Sequence, residues 1–361
     1  MKKILHVVGF LGNGGDTTAI LNVLNAQENG NEQFMFDFIT HDGCDLELVE
    51  KLRKKGSNIF ILEGDVRKIG VLKYYRLILS ILKNNKYDII HFHTSFQSCV
   101  GLYAAKKCNV NTRICHSHTS DVQRKCSKLK KIIYLPICKL LINRYSTKLV
   151  ACSKVAADNL FFQNADVDML YNGLDIQKYK TIDKNEVDDI RKKYGISDSK
   201  IVVGQVGRFN DMKNFEYTID LAKKLDSDKY LFILIGSGPL FNNLEKKVID
   251  ESINNVVFTG KVKNVNDYMS LFDCHLLPSK YGEGLPVVLI EQQIVNDKCI
   301  CIANDNVSKE ANLGNVSYIS INDDAKWIST IKECKNKKTK SICYDNFDIK
   351  NTAIKWLSIY N

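Results

Sequence analysis

Two glutamates, Glu283 and Glu291, have seven residues between them, and Gly284, Leu285 and Pro286 follow the first. An apolar run ending at Pro278 predicts a buried strand before them. A helix is predicted over 286–295, because proline loses no hydrogen bond in a helix's first turn. A helix start favours negative charge, and carboxylates accept hydrogen bonds from hydroxyls. The pattern predicts a sugar-nucleotide site; the alternative is an ordinary capped helix with two solvated glutamates.

Two cations follow another predicted strand. The apolar run 201–206 ends at Gly207, and Arg208 and Lys213 lie in the segment after it. Guanidinium and ammonium groups can hold the oxygens of a departing diphosphate. A chance pairing of arginine and lysine in a loop is the alternative, but the glutamates favour a shared site.

Glycines occur at further strand ends. Gly236 and Gly238 follow a predicted strand and permit a close approach of the backbone to a ligand. Gly12, Gly14 and Gly15 follow the first predicted strand, where they could approach a phosphate or a sugar, although the spacing is not the dinucleotide-binding G-x-G-x-x-G. For Gly12, Gly14 and Gly15, an ordinary turn is an equally good interpretation.

Histidines cluster at two predicted strand ends. His91 and His93 follow one strand, and His116 and His118 end another. His93 and His118 are candidates to face a ligand. His91 and His116 fall within strand patterns, where a hydrogen-bonded structural role is the expectation.

The composition indicates a globular chain of two domains. The 361 residues are 45% hydrophobic and 25% charged, and no apolar run reaches the roughly 18 residues that span a bilayer. The amino-terminal residues lead into a strand pattern and not a signal peptide, so a cytoplasmic protein is expected. The twelve cysteines are scattered without zinc-like spacing, which favours reduced thiols; neither a metal nor a cofactor is expected.

Positive charge is concentrated in the first half. Residues 1–172 hold 24 Lys+Arg and 15 Asp+Glu, a net charge of +9, whereas residues 173–361 hold 27 and 26, a net charge of +1. A basic cluster comprises Arg124, Lys125, Lys128, Lys130 and Lys131, and it precedes an apolar segment that Pro136 is predicted to interrupt. An anionic membrane surface and a solvated helix face are equal interpretations, and nucleic acid is disfavoured because the cluster lacks interleaved aromatic residues.

Strand and helix patterns alternate along the chain without hairpin signals. This alternation predicts an α/β protein with two doubly wound, parallel-sheet (Rossmann-like) domains that face each other across a cleft. The predicted domains are 1–172 and 173–344, with a final helix in 345–361 that packs back on the first domain. A polar stretch over 177–200 links the two sheets. The predicted helices cover 73–84, 98–107, 214–225, 240–252, 266–272 and 286–295.

These motifs together resemble the large fourth family of retaining, nucleotide-sugar-dependent glycosyltransferases, which have the GT-B fold. Within that family the chain is similar to bacterial exopolysaccharide and capsule enzymes. The resemblance extends over nearly the whole length. It is carried by Gly14-Gly15, 116–120 (HSHTS), 151–153 (ACS), 172–175 (NGLD), Gly207-Arg208 with Lys213, 236–239 (GSGP) and 283–291.

The resemblance implies a role for each matching residue. Glu283 would contact hydroxyls of the donor sugar, and Glu291 would bind the ribose. Arg208 and Lys213 would hold the diphosphate, and His118 would contact the donor. The glycine loop at Gly14 and Gly15 would meet the phosphate.

The resemblance implies a reaction that moves a hexosyl or N-acetylhexosaminyl group from a UDP-sugar to a saccharide hydroxyl with retention and without a metal. A lipid-linked acceptor is expected on the side of His93 and the basic cluster, at the inner face of the membrane. Two departures from the family pattern are Asp16-Thr17 after the glycine loop and Gln292-Gln293 after Glu291. A noncatalytic relative that binds a sugar nucleotide is the main alternative; a nicotinamide oxidoreductase and an epimerase are further ones.

Overall fold

The computed structural model describes residues 1–12, 14–28, 34–119, 130–281, 283–336, 339 and 342–361. The chain divides into two compact units. The first contains Met1–Leu174 and Asp345–Asn361, and the second contains Asp175–Tyr344. Each unit is built around one parallel β-sheet.

The first unit has a seven-stranded sheet of order β3-β2-β1-β4-β5-β6-β7. Every strand pairs in parallel with its neighbours. The direction in which successive strands are added reverses between β1 and β4, which is the topological switch point of a doubly wound sheet. The strands are β1 (Lys2–Val8), β2 (Phe34–Thr40), β3 (Ile59–Ile61), β4 (Ile89–Phe92), β5 (Thr112–Ser117), β6 (Lys148–Ala151) and β7 (Asp168–Met169).

Helices connect these strands, and two separate apolar cores lie against the sheet. Tyr74 and Leu102 are fully buried in one core, and Ile4 and Phe38 are fully buried in the other. The helices are α1 (Gly15–Glu28), α2 (Leu46–Lys54), α3 (Val66–Ile69), α4 (Val71–Asn84), α5 (Ser98–Lys107), α6 (Leu135–Tyr145) and α7 (Lys154–Leu160).

The second unit has a six-stranded sheet of order β10-β9-β8-β11-β12-β13, again entirely parallel. Its switch point lies between β8 and β11. The strands are β8 (Ile201–Val206), β9 (Tyr230–Ile235), β10 (Val256–Gly260), β11 (Cys274–Leu277), β12 (Ile300–Asn304) and β13 (Val316–Ile319). The helices are α8 (Ile176–Lys180), α9 (Lys184–Lys193), α10 (Phe215–Lys223), α11 (Phe241–Asp250), α12 (Val265–Met269), α13 (Val287–Val295) and α14 (Asp324–Glu333).

The final helix, α15 (Ile349–Tyr360), belongs to the first unit although the whole second unit precedes it in the sequence. Trp356 and Tyr360 are 1% and 2% exposed and lie in the same core as Ile4. The Lys2 ammonium donates a hydrogen bond to the carbonyl of Tyr360 at 3.0 Å. Apolar burial and this long-range hydrogen bond fix α15 against the sheet.

The predicted fold class of two doubly wound parallel α/β domains is confirmed. The central strands are mostly apolar, as strands buried on both faces tend to be; all six residues of β9 are buried. Two details differ from the sequence prediction. The stretch 177–200 contains α8 and α9, whose amino-terminal amides are capped by the Asp175 and Asp183 side chains. Pro136 lies in the first turn of α6, so it does not interrupt that helix.

In the parts of the chain that the structure describes, no helix combines the length and the apolar character needed to cross a bilayer.

Replacing Trp356 tests how strongly α15 stabilises the first unit. Trp356→Ala should lower the free energy of unfolding of this unit by about 3–5 kcal/mol, since a large buried aromatic side chain leaves a cavity. Ile354→Ala is the matched control, because Ile354 lies on the same helix but is 69% exposed and should change stability by less than about 0.5 kcal/mol. The measurement is chemical denaturation followed by far-UV circular dichroism. Equal effects of the two substitutions would contradict this packing role.

Candidate functional site

The candidate site in the second unit lies at the switch point of its sheet. β8 and β11 are neighbours there, and the loops that follow both strands leave the same edge because the strands are parallel. The loop after β8 carries Arg208 and Lys213, and the loop after β11 carries Glu283. Open α/β sheets bind ligands at this position. The fold therefore brings together residues that are 70 positions apart in the sequence.

Lys213 and Glu283 form a buried ion pair. The Lys213 Nζ lies 2.5 Å from the Glu283 Oε1, and the two side chains are only 14% and 10% exposed. The Ser279 hydroxyl donates a second hydrogen bond to the same oxygen at 2.7 Å. Because removing two charges from water is costly, such a pair persists only with good geometry and additional hydrogen bonds. The site thus holds a fixed cation and a fixed anion at the end of β11.

The backbone of Lys213 is held independently of its side chain. Its amide donates to the Asn210 Oδ1 at 3.0 Å, and its carbonyl accepts a hydrogen bond from the Gln205 side chain at 2.8 Å. Arg208, on the same loop, is exposed and makes no ion pair with any residue in the described ranges. The loop therefore presents one cation held in an ion pair and one cation exposed to solvent.

Two glycines allow the loops after β8 and β9 to touch. Gly236 has φ +136°, and a Cβ there would lie 1.9 Å from the carbonyl oxygen of Gly207. A Cβ on Gly238 would lie 2.4 Å from the carbonyl oxygen of Phe209. Both distances are far below a possible contact. These glycines thus fix the position of the loop that carries Arg208.

Glu291 lies in the second turn of α13, and sequence reasoning missed its partner. The hydroxyl of Tyr179, on α8, donates a hydrogen bond to the Glu291 Oε1 at 2.6 Å. Burial raises the pKa of Glu291, while this hydrogen bond and the charge of Lys213 act in the opposite direction. Two signals in the sequence point to α8, the helix that carries the Tyr179 hydroxyl: Asp175 as an N-cap residue, and the three-residue spacing of Ile176 and Tyr179.

The loop before α13 is buried. Gly284, Leu285 and Pro286 all have buried positions, and Pro286 caps the helix, which begins at Val287 and not at Pro286 as predicted. The carbonyl of Pro286 accepts the amide of Leu289 at 3.0 Å. The segment from Glu283 to the helix start therefore forms a compact wall beside the ion pair.

In the first unit the glycine loop leads into α1. The Gly14 carbonyl accepts the amide of Thr18 at 2.8 Å, and α1 begins at Gly15. A Cβ on Gly15 would make only an ordinary contact with Asn172, at 3.5 Å. Packing within this unit therefore does not require glycine at position 15.

Five histidines of the first unit form one cluster at the ends of β1, β4 and β5. His6 Nδ1 lies 3.1 Å from His93 Nε2, and His93 Nδ1 lies 2.8 Å from His118 Nε2. The His91 and His116 rings complete the cluster, with centroids 4.1 Å from His93 and 3.9 Å from His118, respectively. His6 was missed by sequence reasoning, because it is a single histidine within an apolar strand; β1 pairs it directly with His91.

The cluster is electrically neutral at its centre. Burial lowers the pKa of His6 to about 3 and lowers the pKa values of His91, His93 and His116 well below the ordinary value. The Tyr360 hydroxyl lies 2.9 Å from His91 Nδ1, and the Trp356 ring packs against His91 and His116. The helix α15 thus covers the inner side of the histidine cluster.

The structure describes only part of the basic cluster. Arg124, Lys125 and Lys128 lie outside the described residues, and so do the side chains of Lys130 and Lys131. The backbone of Lys130–Tyr134 forms one π-helical turn that continues into α6. The segment exposes a stripe of aliphatic side chains to solvent: Ile132, Ile133, Ile137 and Leu140, each at least 50% exposed.

Two family models together match most of the chain. The model of Glycosyltransferase Family 4 matches residues 26–178, and the model of glycosyl transferases group 1 matches residues 186–333. The boundary between the two matches lies near the division between the two structural units.

Similar proteins span nearly the full chain. EpsF of Bacillus subtilis strain 168 is 28% identical over 91% of this chain and 87% of its own length. CapH of Staphylococcus aureus, a capsular polysaccharide biosynthesis glycosyltransferase, is 28% identical over 100% of this chain and 99% of its own length. HepE of Anabaena, solved in complex with UDP and glucose, superposes with a TM-score of 0.73 at 17% identity, covering 100% of this chain and 99% of HepE.

The two doubly wound parallel sheets place the protein in the GT-B fold class. Its candidate site lies at the β8–β11 switch point, where α/β proteins bind ligands. The chain is a glycosyltransferase of this fold class: most of its first unit matches the model of Glycosyltransferase Family 4, and most of its second unit matches the model of glycosyl transferases group 1.

Acid should destabilise the first unit through its buried histidines. Their folded pKa values lie below the unfolded value of about 6.5, so the unfolded state binds more protons as the pH falls through 6.5. Stability is therefore fully present above pH 6.5 and is lost below it. At pH 5.5 the four imidazoles together should lower the free energy of unfolding by several kcal/mol.

The measurement is urea denaturation of the protein in a chelator at pH 7.5 and pH 5.5. His6→Phe is the matched variant, since the phenyl ring resembles its aromatic neighbours Phe36 and Phe38 and does not titrate. Between pH 7.5 and pH 5.5 this variant should lose less free energy of unfolding than the unaltered protein, and the difference is the contribution of one histidine. An unchanged pH dependence in this variant would contradict a neutral, buried His6.

Proposed function

We propose that this protein is a retaining transferase that moves a hexosyl or N-acetylhexosaminyl group from a UDP-sugar to a saccharide hydroxyl during the synthesis of a bacterial surface polysaccharide. The observation that carries the proposal is the buried Lys213–Glu283 pair at the switch point of the second unit. The family supports glycosyl transfer, the name of CapH supports a capsular product, and the ligands of HepE support UDP and a hexose.

The donor is proposed to bind by exchanging protein contacts for ligand contacts. Lys213 would turn from Glu283 to a diphosphate oxygen, and the freed carboxylate would accept hydrogen bonds from sugar hydroxyls. Arg208, which is exposed, can add a second cation to the diphosphate. Glu291, already oriented by Tyr179, would accept hydrogen bonds from the ribose hydroxyls. Donor contacts by His118, Gly14 and Gly15 are proposed from the family resemblance.

The proposed chemistry needs no nucleophile from the protein. The bond between the anomeric carbon and the diphosphate oxygen breaks, and the acceptor oxygen bonds to the same face of that carbon. The acceptor proton passes to the departing phosphate. Lys213 and Arg208 stabilise the negative charge that develops on this phosphate, which is the role that a divalent metal fills elsewhere. The transfer is therefore proposed to proceed without added metal.

Replacing Lys213 should reduce the rate of transfer by far more than the accompanying loss of stability can explain. Lys213→Met should lower kcat by about 10²–10³, since one electrostatic contact to developing charge is lost. It should also destabilise the fold, because the buried Glu283 charge is left unpaired. The double variant Lys213→Met with Glu283→Gln should recover stability but not activity. The measurements are transfer of radiolabelled sugar from a panel of UDP-sugars in EDTA, and thermal unfolding of each variant.

Lys247→Ala is the matched control for this experiment. Lys247 also forms an ion pair in the second unit, 2.6 Å from Asp220, with a side chain that is 22% exposed. It should retain activity within about twofold. Recovery of activity in the double variant would assign the pair a purely structural role. Thermal stabilisation by UDP-sugars without any transfer or hydrolysis would favour the noncatalytic alternative.

We propose further that α6 and the turn before it rest on an anionic membrane surface. Ile133, Ile137 and Leu140 are spaced by four and three residues, so they share one face of the helix, and each is half exposed or more. The basic cluster directly precedes this stripe, and the net charge of +9 over residues 1–172 adds long-range attraction to anionic lipid. A lipid-linked saccharide is the acceptor that this placement would serve.

A charge placed in the aliphatic stripe should abolish this binding. Ile137→Glu should reduce sedimentation with vesicles that contain 30% phosphatidylserine or phosphatidylglycerol by at least about fivefold in low salt, because it removes apolar contact and adds repulsion. Ile249→Glu is the control, since Ile249 is 71% exposed on α11 of the second unit. Equal binding of the two variants, or no binding of the unaltered protein, would overturn the membrane proposal.

A further inference from the structure

The histidine cluster contains more nitrogen atoms than the surrounding protein satisfies. Among the described residues, His116 has no hydrogen-bond partner at either ring nitrogen, and His6 and His91 have none at Nε2. A neutral imidazole always carries one N–H, so His116 leaves a buried donor unpaired whichever tautomer it adopts. An unpaired buried polar group costs about 1–3 kcal/mol. These buried nitrogens therefore indicate that the cluster has a partner other than the protein.

Two sets of three histidines are compact enough to hold a single ion. One nitrogen each from His6, His91 and His93 lie within 4.8 Å of one another, and the same is true of His93, His116 and His118. Three imidazoles with one open position are a common set of ligands for a divalent transition metal, whereas Mg²⁺ and Mn²⁺ prefer oxygen ligands. The chemistry of the donor set therefore selects zinc-like ions.

The two sets differ in their access to water. His6 and His91 are fully buried, so an ion in the inner set would carry its charge into the protein without a compensating anion. His118 is half-buried, so an ion bound by the outer set can keep a water molecule or an anion as its fourth ligand. The outer set is thus the better site on electrostatic grounds.

We propose that His93, His116 and His118 form a binding site for one divalent transition-metal ion of the zinc type, with a fourth position open to solvent. The His93 Nδ1 and His118 Nε2 atoms, 2.8 Å apart, now share one proton. A metal ion would take the place of this hydrogen bond, and each of the two imidazoles would then carry its single N–H on the ring nitrogen that faces away from the ion. With metal–nitrogen distances of about 2.0–2.1 Å the two atoms would separate to about 3.4 Å, a movement of a few tenths of an ångström. His116 would supply the third nitrogen, which has no protein partner.

Cobalt binding tests this site without reference to enzymatic activity. The untagged protein, freed of metal with a chelator, is titrated with Co²⁺ at pH 7.5, and the visible absorption of the ion is recorded. One equivalent of Co²⁺ should bind with the intense bands of a four-coordinate site, and Zn²⁺ should displace it. His118→Asn and His116→Phe should each weaken binding by at least about a hundredfold, since each removes one of three protein ligands.

Two further variants identify the ligands. His6→Phe should keep the four-coordinate bands of bound Co²⁺ and weaken binding less than His116→Phe does, because His6 contacts the ligand His93 but belongs only to the inner set. Loss of the bands in this variant with their retention in His116→Phe would overturn the assignment of the outer set. His275→Gln is the control, a fully buried histidine of the second unit whose Nδ1 lies 3.2 Å from Gln292. Absence of four-coordinate bands at 1 mM Co²⁺, or equal binding by all variants, would overturn the proposal altogether. The outcome is independent of the proposed transfer reaction.

Discussion

Parallel pairing of every strand is the constraint on which the rest of this structure depends. It forces all strands of a sheet to end at one edge and requires a crossover helix between consecutive strands. The reversal of strand order between β1 and β4, and again between β8 and β11, separates neighbouring loops and opens a crevice at that edge. The chemically distinctive residues of the chain collect there: the histidines in the first unit, and Lys213 with Glu283 in the second.

The two sites satisfy their polar groups in opposite ways. The second unit balances a buried cation with a buried anion and adds the Ser279 hydroxyl, so its charges exist before any ligand arrives. The first unit instead keeps the imidazoles of His6, His91 and His116 neutral by burial, and each of them has at least one nitrogen without a partner among the described residues. Preorganised charge suits the stabilisation of a departing phosphate, whereas neutral imidazoles with available lone pairs suit the binding of a cation.

The sequence was sufficient where the informative residues are close together or periodic. The buried strands were predictable because their apolar runs are nearly continuous. Glu283 and Glu291 could be proposed as site residues because one short segment contains both. Tyr179 was not predictable as a partner of Glu291, since 112 positions separate them and only folding brings them together. The helix α9 was missed because it contains only two apolar residues, Val187 and Ile190, and buries only the second. Which strand ends become neighbours is a property of the sheet order, and no local pattern encodes that order.

The position of α15 imposes an order on folding during synthesis. The core of the first unit includes Trp356 and Tyr360, and Lys2 bonds to a carbonyl 358 positions away. A ribosome therefore completes the entire second unit before it delivers the helix that closes the first. The amino-terminal unit therefore cannot complete its core until the second unit has been synthesised, and the apolar surface that α15 covers stays exposed until then.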